Sequence, residues 1–210
     1  FPDMQKYLSK TSYGLEHMRV HSTEESEDAG YVIPYADNPV DNENVGENVY
    51  IDILNQAKEY VYIFTPYLII GTELATALTN AAQSGVDVRI VTPEVPDKKM
   101  VYLLTQANYE PLIRGGVKIY QYKPGFIHSK CVVVDDEYAS IGTINMDFRS
   151  LYLHFECSTF MYKTECVHQV TEDALKTFEE SRQILLEDCE NKNIFMQLLL
   201  SILHLFSPLL

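Results

Sequence analysis

The sequence predicts an α/β fold in which a central mixed β-sheet is flanked by helices. Three observations lead there. Between residues 48 and 122, short β-branched and aromatic runs alternate with segments of helical apolar spacing, the rhythm of βαβ units. From residue 128 two strand-like runs follow one another with only a tight turn between them, which adds antiparallel pairing to a parallel sheet. Finally, 210 residues of 46% hydrophobic content suffice for one domain with a sizeable core.

Taken in order, residues 1–47 carry ten acids and three bases. The stretches 21–30 and 36–47 are polar, acidic and without apolar periodicity, which predicts a linker or solvated connecting segment. Within it, residues 31–35 (YVIPY) form the one strand-like insert. A domain spanning 48–192 follows. Tyr50, Ile53, Leu54 and Ala57 recur at helical spacing, and residues 60–66 read as a buried strand ended by Pro66. Thr72 is a suitable cap for the next helix, whose stripe of Leu74, Ala77, Leu78, Ala81 and Ala82 stops at Gly85. Residues 86–93 make the second strand. One helical stretch is expected from about Asp97 to Arg114, ended by Gly115 and Gly116, and residues 117–122 make the third strand. Parallel pairing would end Thr65-Pro66 and Thr92-Pro93 on the same sheet edge, where ligands of open α/β sheets gather.

Further along, residues 128–144 read as two strands joined by a turn at Asp135, Asp136 and Glu137, and residues 153–162 as another strand. A long helix is expected from about Glu165 to Glu190. Residues 193–210 predict an apolar carboxyl-terminal helix with Gln197, Ser201 and His204 on a narrow polar seam. From Ile194 to Phe206 it would be about 20 Å long, short of a roughly 30 Å hydrocarbon layer, so it suits lying on a membrane or packing on protein.

Charge narrows the function classes. Thirty acids against sixteen bases give −14, which opposes a general nucleic-acid-binding surface but allows a local basic pocket. The pair Lys98-Lys99 reads as a solvated face. Cys131, Cys157, Cys166 and Cys189 show no paired spacing and read as reduced thiols. The chain opens on Phe1 with no secretory signal, and a portion upstream is expected.

The chemistry concentrates after residue 126. In a strand, His128 and Lys130 share a face, so an imidazole stands beside a fixed cation. Gly142-Thr143-Ile144-Asn145 adds a hydroxyl, an amide and a glycine permitting close approach. Together they suit a metal-free phosphodiester site, with charge neutralisation, oxygen positioning and a group for proton or phosphoryl transfer. Asp135, at odd spacing from Lys130, faces away and is expected to brace the turn. Glu156, on a strand that lies alongside, is expected to accept from one nitrogen of His128 and fix its tautomer. His154, two residues before it, reads as structural.

The order His-x-Lys, four residues, Asp, six residues, Gly-Thr-x-Asn is the HKD signature, and the chain resembles the phospholipase D superfamily. TPYLI (65–69), AAQSGVDVRIVTP (81–93), YEPLIRGGVKIYQY (109–122), PGFIHSK (124–130) and GTINMDFRSLYLHFE (142–156) resemble, in order, the carboxyl-terminal half of bacterial cardiolipin synthases. The resemblance implies a phospholipase D-like fold and a transferase of phospholipid biosynthesis that needs no metal or other cofactor. A histidine attacks the phosphorus of phosphatidylglycerol, and a second phosphatidylglycerol takes the phosphatidyl group to give cardiolipin. It further implies His128 and Lys130 as the catalytic pair, Asp135 as the motif's acid, Thr143 and Asn145 as phosphate-side ligands, and Glu156 as partner of His128. Such sites use two HKD motifs and this chain has one, so the partner is an upstream half or a second copy forming a homodimer. An anionic phospholipid substrate, no nucleic acid, and the cytoplasmic face of the bacterial cell membrane complete the expectation. A hydrolase that lets water resolve the phosphohistidine, a nuclease, and a catalytically silent scaffold half are the alternatives.

Overall fold

A computed structural model describes residues 30–190 except Asn42. The acidic stretch before Gly30 and the apolar helix expected over 193–210 lie outside the described residues. The elements are β1 (Tyr31–Asp37), α1 (Val45–Gln56), β2 (Tyr60–Phe64), β3 (Leu68–Ile69), α2 (Thr72–Gln83), β4 (Asp87–Pro93), α3 (Lys99–Ala107), α4 (Tyr109–Arg114), β5 (Lys118–Tyr122), β6 (Cys131–Val134), β7 (Tyr138–Gly142), β8 (Met146–Asp147), α5 (Phe148–Tyr152), β9 (Glu156–Tyr162), α6 (Glu165–Glu179), β10 (Ser181–Ile184) and α7 (Leu186–Glu190).

The fold is the mixed α/β architecture the sequence predicts. One eight-stranded sheet runs in the order β1-β9-β7-β6-β2-β4-β5-β10, and β3 pairs with β8 in a separate two-stranded ribbon. Strands β2, β4 and β5 are mutually parallel, while β6, β7, β9, β1 and β10 join antiparallel. The central strands carry near-continuous apolar runs because both faces are covered. On one face Val61, Ile63, Val88, Ile90 and Ile119 pack with Tyr50, Ile53 and Leu54 of α1 and Leu74 and Leu78 of α2. On the other, Tyr62, Phe64, Val91 and Val133 pack against Val167, Ala174 and Phe178 of α6.

Several element bounds differ from the sequence reading, each for a local reason. The helix expected from Asp97 to Arg114 is two helices, because the Asn108 side chain donates to the Leu104 carbonyl (2.9 Å) and Pro111 has no N–H with which to continue the ladder. Helix α2 starts at Thr72 with Gly71 as its N-cap and no side-chain cap. At the far ends of their helices, Gly85 (φ 99°) and Gly116 (φ 97°) take the left-handed conformation that glycine adopts without steric cost. The long helix expected to reach Glu190 ends at Glu179. Its buried stripe of Val167, Thr171, Ala174 and Phe178 meets polar Ser181 and Arg182, and residues 181–184 instead cover the open edge of β5. The strand expected from Leu153 starts at Glu156, since Asp147 caps the short helix α5 by accepting from the Ser150 N–H (2.9 Å).

The β6–β7 turn is as expected. Asp135 (φ 52°) and Asp136 (φ 54°) occupy left-handed positions, and the Glu137 N–H bonds the Val134 carbonyl (2.9 Å), a tight turn within the three-residue connection between the paired Val134 and Tyr138. The Asp135 carboxylate accepts from the backbone N–H groups of Lys58 (2.7 Å), Glu59 (3.0 Å) and Tyr60 (2.7 Å), which fixes the entry of β2. Replacing Asp135 by Ala leaves these donors without their carboxylate and is expected to cost about 2 kcal/mol in denaturant unfolding. The nuclear magnetic resonance titration of His128 should stay in place, and a shift in it would give Asp135 an electrostatic part in the site.

Candidate active site

Sheet topology brings His128, Lys130, Thr143, Asn145 and Glu156 to one edge. Strand β2 ends at Phe64, and the parallel β4 ends beside it, with the Thr65 N–H bonded to the Val91 carbonyl (3.1 Å). This is the shared carboxyl edge expected for Thr65-Pro66 and Thr92-Pro93. Strand β6 runs the other way, with Cys131 opposite Phe64, so the residues just before it arrive at the same edge. Strand β7 returns there, where the Gly142 N–H bonds the Lys130 carbonyl (3.2 Å), and β9 departs from it, where the Thr143 N–H bonds the Cys157 carbonyl (2.8 Å). A Cβ on Gly142 would lie 2.0 Å from Ser158 Oγ and 2.3 Å from the Cys157 carbonyl oxygen, so the strands meet this closely only at a glycine.

His128 and Lys130 come together as their spacing predicts, in extended chain just ahead of β6. The Lys130 ammonium donates to the His128 carbonyl (2.8 Å) and stands 3.0 Å from Nδ1 and 2.9 Å from Nε2. At nearly equal distance from both ring nitrogens, the ammonium lies over the imidazole face, where a second positive charge on the ring would be repelled. Loss of solvent, and then the charge of Lys130, hold the imidazole below its ordinary pKa, so the ring is mostly neutral at pH 7. Lys130 is buried, and burial also lowers its pKa, while the negative charges of Glu156 and Asp147 oppose that shift. The His128 ring lies 5.6 Å from Phe126, which lies 6.4 Å from Tyr67, whose hydroxyl donates to Asp97.

Thr143, Asn145 and Glu156 form a network beside this pair. Ile144 and Met146 are buried in the core, which turns Thr143 and Asn145 the other way, and the Tyr50 hydroxyl holds the loop through the Ile144 carbonyl (2.8 Å). Thr143 Oγ1 donates to Glu156 Oε2, and Ser150 Oγ donates to Glu156 Oε1 (2.8 Å). With its proton committed to a carboxylate, the Ser150 oxygen accepts from Asn145 Nδ2 (3.0 Å). That orientation turns Asn145 Oδ1 away, and it is buried without a hydrogen-bond partner among the described residues.

One expectation is corrected here. Glu156 does not bond His128; its oxygens are taken by Thr143 and Ser150, and its link to the pair is its attraction for Lys130. Asp135, the motif's acid, faces away from the pair as its odd spacing from Lys130 predicts: it lies at the opposite end of β6 and braces the turn, its carboxylate engaged by three backbone donors. His154, read as structural, stands at the site instead, with Nδ1 3.8 Å from Glu156 Oε1 and Nε2 3.2 Å from an Arg149 nitrogen. Ser150 and Asp147 were missed, although Asp followed three residues later by a polar partner at a helix start is a capping signal. Among the described residues no three His, Cys, Asp or Glu side chains gather as a metal site would require, and no described helix is long and apolar enough to cross a membrane.

Residues 50–178 match the family described as cardiolipin synthase, phospholipase D-like domain. An uncharacterized protein of Streptococcus mutans is 50% identical over 181 residues, which cover 86% of this chain and 39% of that protein. A cardiolipin synthase of Geobacillus kaustophilus is 39% identical over 184 residues, 88% of this chain and 37% of that protein. The chain thus spans well under half the length of these curated relatives. Among solved structures, phosphatidylserine synthase of Haemophilus influenzae aligns with a TM-score of 0.71 at 18% identity, covering 100% of this chain and 53% of that one. Nuc of Salmonella typhimurium, a phospholipase D family member, aligns at 0.63 and 16% identity, covering 74% and 98%. These two show the shared fold. The His128–Lys130 pair and the Gly-Thr-x-Asn segment at one sheet edge and the family match over more than half of the sequence agree: this chain belongs to the cardiolipin synthase family of phospholipase D-like domains.

Proposed function

We propose that the chain supplies one half-site of a phosphatidyltransferase that joins two phosphatidylglycerol molecules into cardiolipin and glycerol. The observation that carries this reading is a neutral imidazole held against a buried ammonium in a chain of the cardiolipin synthase family. In the first step a histidine nitrogen forms a bond to the donor phosphorus as the bond to the glycerol oxygen breaks, and a second imidazole protonates the departing glycerol. In the second step the acceptor's hydroxyl gives its proton back to that imidazole, its oxygen bonds to phosphorus, and the phosphorus–nitrogen bond breaks. His128 fills one of the two roles. Lys130 offsets the phosphate charge that grows at the transition state, and the network around Glu156 keeps Lys130 charged and in place.

The second HKD histidine comes from another part of a longer protein, a reading supported by the relatives' greater length. Lipid substrates put the reaction at a membrane surface, the cytoplasmic face of a bacterial membrane.

In the complete protein with phosphatidylglycerol vesicles, His128→Asn is expected to lower cardiolipin formation about 10³-fold or more. Unchanged turnover would leave a scaffold role, and phosphatidic acid as the sole product of the unaltered protein would make it a hydrolase. With His128 as nucleophile, the acid limb of the rate should lie below the ordinary histidine pKa of about 6.5, because the depressed imidazole loses its lone pair only at lower pH; with His128 as proton donor, the same depressed pKa should set the alkaline limb instead. Replacing Lys130 by Met removes one of the two depressing causes, and the His128 titration followed by nuclear magnetic resonance should then move to higher pH. A midpoint that stays in place would mean that Lys130 does not tune the ring.

A further inference from the structure

On the network of Asn145, Ser150 and Glu156 a cavity of about 210 Å³ opens between the start of α3 and the segment from α5 to β9. Its two walls differ in chemistry. The inner wall holds the shielded carboxylates of Asp147 and Glu156, both of which pull on Lys130. The outer wall holds exposed Lys98, Arg149 and His154. An Arg149 nitrogen donates to His154 Nε2 (3.2 Å), so that nitrogen keeps its lone pair and the neutral ring carries its proton on Nδ1, toward Glu156. Lys98 stands 5.9 Å over the Tyr67 ring, with Asp97 on the tyrosine hydroxyl as the nearest offsetting charge.

Each wall suits a different part of one molecule. Carboxylates accept hydroxyl protons and repel a phosphate, whereas a guanidinium and an ammonium hold a phosphate. The chain as a whole carries −14, so an anionic molecule needs such a local cluster to approach. A group that carries hydroxyls at one end and a phosphate at the other therefore enters hydroxyl first, toward the side where Lys130 lies.

We propose that this cavity seats the headgroup of the acceptor, an alcohol that bears a phosphate, with its hydroxyls against Glu156 and Asp147 and its phosphate at Lys98 and Arg149. The inference rests on the phosphatidyl-transfer reading. It gives the site a means of choosing its acceptor, because water and simple alcohols gain nothing from the cationic wall.

The test uses the complete protein with phosphatidylglycerol in mixed micelles and isotopically labelled glycerol and glycerol phosphate as competing soluble acceptors. Each enzyme is scored by ratios of its own products, so overall rate drops out. The unaltered protein should favour glycerol phosphate over glycerol, and cardiolipin over labelled phosphatidylglycerol. Lys98→Gln and Arg149→Gln, at exposed positions, should each lower these preferences about tenfold. Loss confined to the cardiolipin arm assigns the subsite to lipid-borne phosphate, and loss confined to the soluble arm assigns it to free glycerol phosphates. Preferences that are absent from the unaltered protein, or intact in both variants, overturn the subsite and leave the transferase reading standing. No labelled lipid and no cardiolipin from any enzyme would remove both.

Discussion

Burying an ammonium at the edge of a β-sheet is the constraint from which the rest of the site follows. Lys130 leaves bulk water, and a cation in that position is tolerated only where lone pairs and negative charge surround it. The His128 carbonyl supplies a lone pair and the His128 ring lies against the ammonium, while Asp147 and Glu156 supply the charge. Those carboxylates need donors of their own, which come from the Ser150 backbone N–H and from the hydroxyls of Thr143 and Ser150. Asn145 then completes the set through Ser150. A single buried charge thus dictates polar residues on four separate pieces of chain, and it explains why hydroxyls and an amide, rather than further lysines, line the ground around it.

The sheet makes that concentration of residues feasible. Had β6 joined β2 in parallel, His128 and Lys130 would have met the opposite edge, away from Thr65 and from the loop that follows β7. Reversal at β6, again at β7 and again at β9 returns the chain to one edge each time. The parallel half of the sheet serves as a rigid backing, filled mainly by aliphatic side chains on one face and by aromatic ones on the other, and the antiparallel half delivers the chemistry.

Much of this was legible in the sequence, and the boundary of legibility has physical causes. Alternation in a strand was enough to place His128 beside Lys130, because period two leaves no other arrangement. The Thr-Pro pairs marked strand ends, and the run of acids at 135–137 marked the hairpin turn. The partner of Glu156 was not legible. Its choice between an imidazole and two hydroxyls depends on where the five-residue helix α5 carries Ser150, and a helix that short has no apolar period to read. The end of α6 was hidden for a related reason. Whether polar residues continue a helix or cover an open strand is settled by the exposed edge of β5, a tertiary circumstance absent from local pattern.

The strand order also bears on how the molecule assembles. Strands β1 and β9, and likewise β5 and β10, are neighbours in space but distant along the chain. Contacts of that kind form slowly, because much of the chain must be ordered before they contribute. Helices α1 and α2 with the parallel strands have mostly local partners and are suited to form early. Glu156 opens β9, so the larger of the two negative charges that act on Lys130 reaches the site only when the antiparallel half closes. An intermediate with secondary structure in place but β9 undocked leaves Lys130 with Asp147 alone, and the polar network is therefore among the last parts of the molecule to become stable.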